Sequence, residues 1–180
     1  MPGSAEEGRD LMLSRLIDDS GPRSVLDIGA GSGTYGRALR GMFHPFPPYL
    51  IGVEVWRPYV NRYRLDEVYD HVILRDVREM TLHEWPRADV VILGDVLEHM
   101  SLTDARRVWN LARAAARKAV FLSIPIVPYP QGAEHGNPFE EHVVPDWTHL
   151  RVLATFEGIT WSWQGTIVGR YEASPAGGGR

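Results

Sequence analysis

Val25-Leu26-Asp27-Ile28-Gly29-Ala30-Gly31-Ser32-Gly33 is a short apolar run that ends in an acid and then in glycines at alternate positions. Ser24 to Ile28 has the length and β-branched content of a buried strand, and Thr34 to Arg40 returns to helix-compatible residues, so the glycines fall where the chain must turn. Glycine lets backbone come close to a ligand. The turn opens onto a helix N-terminus, whose unpaired N–H groups and positive dipole end favour an electronegative partner. The stretch therefore predicts a strand, a binding loop at Gly29, Gly31 and Gly33, and a helix. A glycine-rich turn with no ligand is the alternative.

Outward from this stretch, four more apolar runs end in or near polar residues. Tyr49 to Val53 is the second strand and Glu54 ends it. His71 to Leu74 is the third, ending at Asp76, and Asp89 to Leu93 is the fourth, ending at Gly94-Asp95. Ala119 to Ile124 is the fifth. Between the first helix-compatible run and the second strand, His44-Pro45-Phe46-Pro47-Pro48 excludes regular structure. Ser101 and Asp104 form a capping box before Ala105, Val108, Trp109, Ala112, Ala115 and Ala116, whose three- and four-residue spacing marks an amphipathic helix. Upstream, a helix is expected from Ala5 to Asp19, capped by Ser4 and Glu7 and stopped by Ser20-Gly21-Pro22. After the fifth strand comes a loop from Pro125 to Asp146, too long for a mere connector. A short helix from Thr148 to Phe156 follows. A hairpin of Ile159 to Trp163 and Thr166 to Tyr171, parted by Gln164-Gly165, closes the chain. Strands alternating with helices predict an α/β fold, a doubly wound and mostly parallel sheet with a C-terminal antiparallel hairpin. In such sheets ligands bind outside the carboxyl ends of the strands, where the acids fall.

The chain has 180 residues, 44% of them hydrophobic, which suits one domain spanning 1–173 with a glycine-rich tail, 174–180, expected to be disordered. A formal charge of -4 and a pI near 6.0 supply no general basic field, so nucleic acid is not expected as a partner. No apolar run approaches the roughly 20 residues of a membrane span, and the acidic start is unlike a signal segment. The absence of cysteine excludes disulfides and thiolate chemistry and fits a cytoplasmic location.

Gly31-Ser32-Gly33-Thr34-Tyr35-Gly36 also fits the dinucleotide fingerprint G-x-G-x-x-G. Asp27 argues against that reading, because a carboxylate pointing into the loop can hold its amides and would repel a pyrophosphate. The pattern D-x-G-x-G-x-G after a strand resembles motif I of the class I S-adenosylmethionine-dependent methyltransferases. Asp95-Val96-Leu97-Glu98-His99 is similar to a widespread group of small members of that family, and Ile51 to Val60 and Gly136 to His142 extend the resemblance over most of the chain. It implies a Rossmann-like methyltransferase sheet of seven strands, with S-adenosyl-L-methionine as cofactor.

With that ligand, Glu54 is placed to accept hydrogen bonds from a ribose diol, and Val55 or Trp56 to cover a face of adenine. Asp76 can accept from the adenine amino group, and the Val77 N–H can serve a ring nitrogen. The resemblance puts residues around Asp95 beside the methionine part of the cofactor and the Glu-His pair near the methyl group. His99 is a candidate general base with His142 as its competitor. In the ubiquinone-pathway O-methyltransferases, a carboxylate-x-x-Glu-His cluster at this place can hold a divalent metal. Asp95 is shorter than the usual glutamate, the histidines of the long loop match no zinc motif, and no metal is expected.

These readings predict methyl transfer to an oxygen or nitrogen of a small-molecule acceptor. The rivals are an NAD(P)-dependent oxidoreductase and a non-catalytic S-adenosylmethionine-binding or protein-methylating domain. The loop from Pro125 to Trp147 is expected to wall and cover the acceptor side, with Tyr129, Phe139 and Trp147 excluding water.

Overall fold

The computed structural model describes residues 6–17 and 21–177. Strands β1 (Ser24–Ile28), β2 (Tyr49–Glu54), β3 (His71–Leu74), β4 (Ala88–Gly94), β5 (Ala116–Pro125), β6 (Ile159–Gln164) and β7 (Val168–Ala173) form one sheet in the order β3-β2-β1-β4-β5-β7-β6. The first five are parallel, and β7 runs antiparallel to both β5 and β6. This is the doubly wound α/β sheet with a terminal hairpin that the sequence predicts. The order reverses between β1 and β4, so their carboxyl ends part and leave a crevice.

Helices α1 (Arg9–Ser14), α2 (Thr34–Met42), α3 (Arg57–Arg62), α4 (Leu65–Val68), α5 (Leu102–Ala115) and α6 (His149–Thr155) cover the two faces. Alternation along the strands divides the core. Leu26, Ile28, Val91 and Leu93 pack with Trp109 of α5 and Phe156, while Val25, Val90 and Ile92 pack with Met12 of α1, Tyr35 and Leu39 of α2, and Tyr69. Asp27 shares the parity of Val25 and so faces the second group.

The sequence-derived boundaries hold within a few residues, with two corrections. Helix α1 starts later than expected, at Arg9, so Glu7 lies before it rather than in its first turn. Gly8 at φ 66° caps the helix, and a Cβ there would lie 2.3 Å from the Trp163 ring, so only glycine permits this contact. The Glu7 carboxylate instead accepts the N–H groups of Thr166 and Ile167 at 2.9 and 3.1 Å and the Thr166 hydroxyl at 2.7 Å, tying the N-terminal segment to the β6–β7 turn. Ser4, Ala5, Asp18, Asp19 and Ser20, also assigned to that helix and its stop, lie outside the described residues. Strand β5 begins at Ala116 rather than Ala119, since a bulge between Ala88 and Val90 lets Ala116 pair with Ala88 before regular pairing resumes. Beyond β7, Ser174 and Ala176 donate N–H to the Gly158 and Arg113 carbonyls at 3.0 and 2.9 Å, and residues 178–180 lie outside the description. No described helix is long and apolar enough to cross a membrane.

Candidate functional site

A cavity of about 420 Å3 opens at the carboxyl ends of β1 to β5, a volume in the range of small-molecule sites. Of the residues singled out in the sequence, Gly29, Gly31, Glu54, Val55, Asp76, Val77, Asp95, His99 and His142 line it; Asp27 and Gly33 do not.

Asp27 is 2% exposed and lies beneath the loop, where its Oδ2 accepts the Tyr69 hydroxyl at 2.5 Å. The expectation that it holds the loop amides is corrected: Gly29 and Ala30 donate N–H to the Val53 carbonyl at 2.9 and 3.0 Å, and Gly31 donates to Glu54 Oε2 at 2.8 Å. Strand parity turns Asp27 to the helix face, away from the strand tips. Burial raises its carboxyl to about 7, opposed by the Tyr69 hydroxyl and reinforced by the charge of Glu54. Gly33, at φ 76°, caps α2, and an added Cβ would sit 3.2 Å from Leu65, so it serves the turn and its packing. Gly31, at φ 53°, would place a Cβ no nearer than 3.7 Å to its closest neighbour, the Gly29 carbonyl oxygen. Space above Gly31 is therefore open to a ligand.

Glu54 is 4% exposed and bridges two loops, accepting the Gly31 N–H on one oxygen and the Trp56 N–H on the other, each at 2.8 Å. Burial raises its carboxyl against the pull of these amides. At the tip of β3, Asp76 accepts the Arg78 guanidinium in a fork, with bonds of 2.6 to 3.1 Å, and the Arg78 N–H at 2.9 Å. Burial alone would raise Asp76, but the Arg78 side-chain and amide bonds hold it below the ordinary carboxylate value.

Asp95 follows directly on β4, beside β5. Its N–H donates to the Ser123 carbonyl at 2.9 Å, and its Oδ1 accepts the Ser123 hydroxyl at 2.5 Å. Its backbone is held at φ 54°, uncommon outside glycine, and its Oδ2 is buried without a partner among the described residues. Strained backbone and an unmatched buried acceptor at a cavity wall mark a place prepared for a donor or a cation.

Beside it lies the polar centre of the site. Glu98 is 1% exposed, neither carboxylate oxygen has a partner among the described residues, and burial with the Asp95 charge drives its carboxyl well above the ordinary value. His99 and His142, 43 positions apart in sequence, meet edge to face with ring centroids 4.7 Å apart. Each imidazole Nδ1 faces a carbonyl, His99 that of Glu141 at 3.2 Å and His142 that of Tyr129 at 2.6 Å. Carbonyls only accept, so Nδ1 carries the proton and Nε2 keeps a lone pair. Burial lowers both histidines below the ordinary value, keeping them neutral at neutral pH. Ligand-type atoms of Glu98, His99 and His142 lie within 4.8 Å of one another, so the trio is able to share one divalent cation as well as to accept protons.

The long loop contributes Tyr129, Gln131, Asn137, Phe139, Glu140 and His142 to the lining. Two aromatics are not where the sequence reading put them. Trp147 is 1% exposed and stacks on Phe156 at 5.4 Å, a core residue rather than a gate. Phe139 reaches the far end of the cavity, with its ring 6.2 Å from Trp56 after β2 and 5.6 Å from the Arg78 guanidinium after β3. Trp56 itself stays out of the lining. Sequence reasoning missed Tyr59 on α3, Ile167 in the hairpin turn and Val168 at the start of β7, which reach the cavity only through tertiary packing. Glu98 was legible only as a member of the Asp95 to His99 motif.

No protein-family model matches the chain, and no curated protein matches it in sequence. Solved structures do match. The N-terminal domain of EvdMO1 with S-adenosylhomocysteine bound is 15% identical, with 96% of this chain and 83% of that one covered at a TM-score of 0.68. Magnesium protoporphyrin IX methyltransferase from Synechocystis PCC 6803, with S-adenosylmethionine bound, is 14% identical, with 93% and 77% covered at 0.64. An S-adenosylmethionine-dependent methyltransferase from Clostridium acetobutylicum ATCC 824 is 10% identical, with 93% and 90% covered at 0.69. With its strand order and terminal hairpin matched over nearly its whole length, the chain has the Rossmann-like fold of the S-adenosylmethionine-dependent methyltransferases.

Proposed function

We propose that the protein is an S-adenosylmethionine-dependent methyltransferase acting on an oxygen or nitrogen of a small-molecule acceptor. The observation that carries this reading is one continuous cavity with strand-end acids on one side and a neutral imidazole pair on the other. The residues fit the cofactor. Open space above Gly31, the free acceptor capacity of Glu54 and the unpartnered Oδ2 of Asp95 suit ribose hydroxyls and an ammonium group, while Val55 and Val77 offer apolar walls for a purine. When bound, S-adenosylmethionine supplies an electrophilic methyl group on a positively charged sulfur.

The chain's own residues then position and deprotonate. Asp95 Oδ2 and the Glu98 carboxyl offer acceptors without partners among the described residues at the centre of the cavity, which suits an ammonium better than a pyrophosphate and separates this reading from a nicotinamide enzyme. A neutral His99 or His142, its Nδ1–H fixed by a carbonyl, presents Nε2 to take the proton of an acceptor hydroxyl or ammonium. Holding the reactants in line lowers the barrier by converting a bimolecular step into a unimolecular one. The cavity's modest volume supports a small-molecule acceptor, and the porphyrin methyltransferase above is consistent with that class.

Calorimetric titration with S-adenosylmethionine and, separately, NADH tests the cofactor: binding of the first alone is expected, and binding of NADH alone would overturn the reading. Incubating metabolite pools with methyl-labelled cofactor then identifies the acceptor by mass spectrometry. A chelator assay separates imidazole base catalysis, which survives it, from use of the Glu98, His99 and His142 trio as a cation site, which does not.

A further inference from the structure

We infer that Phe139, carried on the loop after β5, is the outer wall of the purine pocket, and that its strap links purine occupancy to the imidazole pair. The inference rests on the cofactor reading above and adds to it a residue from an element on the other side of the crevice. The strap spans 131–142. It is braced internally: His142 donates its N–H to the Gln131 carbonyl at 3.0 Å, the Gln131 amide donates to the Glu140 carbonyl at 2.8 Å, and the Asn137 side chain accepts the Phe139 N–H at 2.9 Å. Its base is pinned where Tyr129 donates N–H to the Pro145 carbonyl at 2.9 Å and Val144 to the Glu98 carbonyl at 3.1 Å. So braced, the segment is an internally bonded unit rather than a slack loop.

The tip crosses the cavity to the tips of β2 and β3. There Phe139 leans on Trp56 and under Arg78, while the buried Tyr59 hydroxyl on α3 faces Asn137 and Glu140. Phe139 is half-buried and presents its ring to the space beside Val55, Asp76 and Val77, the apolar-walled end of the cavity. An aromatic face there suits a purine face. At the root of the same strap, His142 meets His99. A purine seated against Phe139 therefore holds the whole strap, and with it the imidazole pair, in place before an acceptor arrives.

The test measures binding, not turnover. Phe139→Ala, whose half-buried position preserves folding, and Phe139→Tyr are titrated with S-adenosylhomocysteine and with 5′-methylthioadenosine, which lacks the amino-acid half. Phe139→Ala should raise both dissociation constants by a similar factor, about 5- to 150-fold, the range of base–aromatic stacking, and Phe139→Tyr should restore most of the affinity. Methylthioadenosine should also slow hydrogen exchange of amides 131–142 in the wild type and not in Phe139→Ala. Unchanged affinities, a penalty confined to S-adenosylhomocysteine, or no protection of the strap would overturn the inference while leaving the cofactor reading intact. A wild-type protein that binds neither ligand would overturn the cofactor reading itself.

Discussion

Glu54 fixes the Gly31 and Trp56 N–H groups with its carboxylate and, on the proposed reading, keeps lone pairs for a ligand in the cavity. Glu54→Ala is expected to lose about 1–3 kcal/mol of stability from the unsatisfied amides and to weaken cofactor binding at least tenfold. Thermal denaturation and calorimetry measure the two effects, and unchanged affinity in a folded variant would remove Glu54 from the cofactor site. Asp27 makes a different prediction. Its folded carboxyl titrates at about 7 against 3.8 for the free residue, so between these values the folded state binds more protons than the unfolded one. Its contribution is fully present below the unfolded value and is lost as pH rises through the folded value. Asp27→Asn keeps an acceptor for Tyr69 and no titration, so its stability relative to the wild type should climb between pH 4 and 7 and level off above. Denaturation melts across that range check the sign; a pH-independent difference would place Asp27 among ordinary carboxylates.

At the scale of elements, the loop after β5 serves both ends of the cavity. The sequence reading makes it an acceptor-side cover alone, so that replacing Gln131 to Glu141 by a brief glycine linker would spare cofactor binding. On the inference that Phe139 walls a purine pocket, that deletion is instead expected to abolish methyl transfer and to weaken cofactor binding as well, by about the factor lost in Phe139→Ala. Calorimetry on the shortened chain decides between the two. The imidazole pair belongs to this scale too, since His99 follows β4 and His142 ends the strap. Replacing by glutamine the histidine that takes the proton should slow turnover about 10²- to 10⁴-fold with little change in cofactor affinity, and should flatten an acidic limb lying below the ordinary histidine value. Full activity in both single variants would mean that positioning alone carries the reaction.

At the scale of the whole molecule, the sheet that carries the site is packed between two cores. Trp109 is 1% exposed, lies 5.1 Å from Phe156, and donates its Nε1–H to the Glu157 carbonyl at 3.0 Å, joining α5 to the segment that leads into the hairpin. Trp109→Ala should cost about 3–5 kcal/mol, read from chemical denaturation, with the cavity and the lost hydrogen bond both contributing. A loss under 1 kcal/mol would show that the helix layer relaxes around the gap.

The sequence by itself determined the strand-loop-helix at Val25 to Arg40, the alternation of strands and helices, the terminal hairpin, and the acids at the strand ends. These follow from local periodicity, turn chemistry and the rule that parallel strands present their carboxyl ends to ligands. Only the tertiary structure decided which acids reach the cavity. Asp27 reads as a loop acid but is turned by strand parity onto Tyr69, 42 positions away, while Glu98, within a motif known only by resemblance, is a buried acid with no partner among the described residues. Phe139 and Trp147 read alike as loop aromatics, yet one lines the cavity beside Trp56 and Arg78 and the other is core. Side-chain direction on an irregular loop is set by the surfaces the loop crosses: for Phe139 these are the segments after β2 and β3, far away in sequence, and for Trp147 the ring of Phe156 just beyond α6.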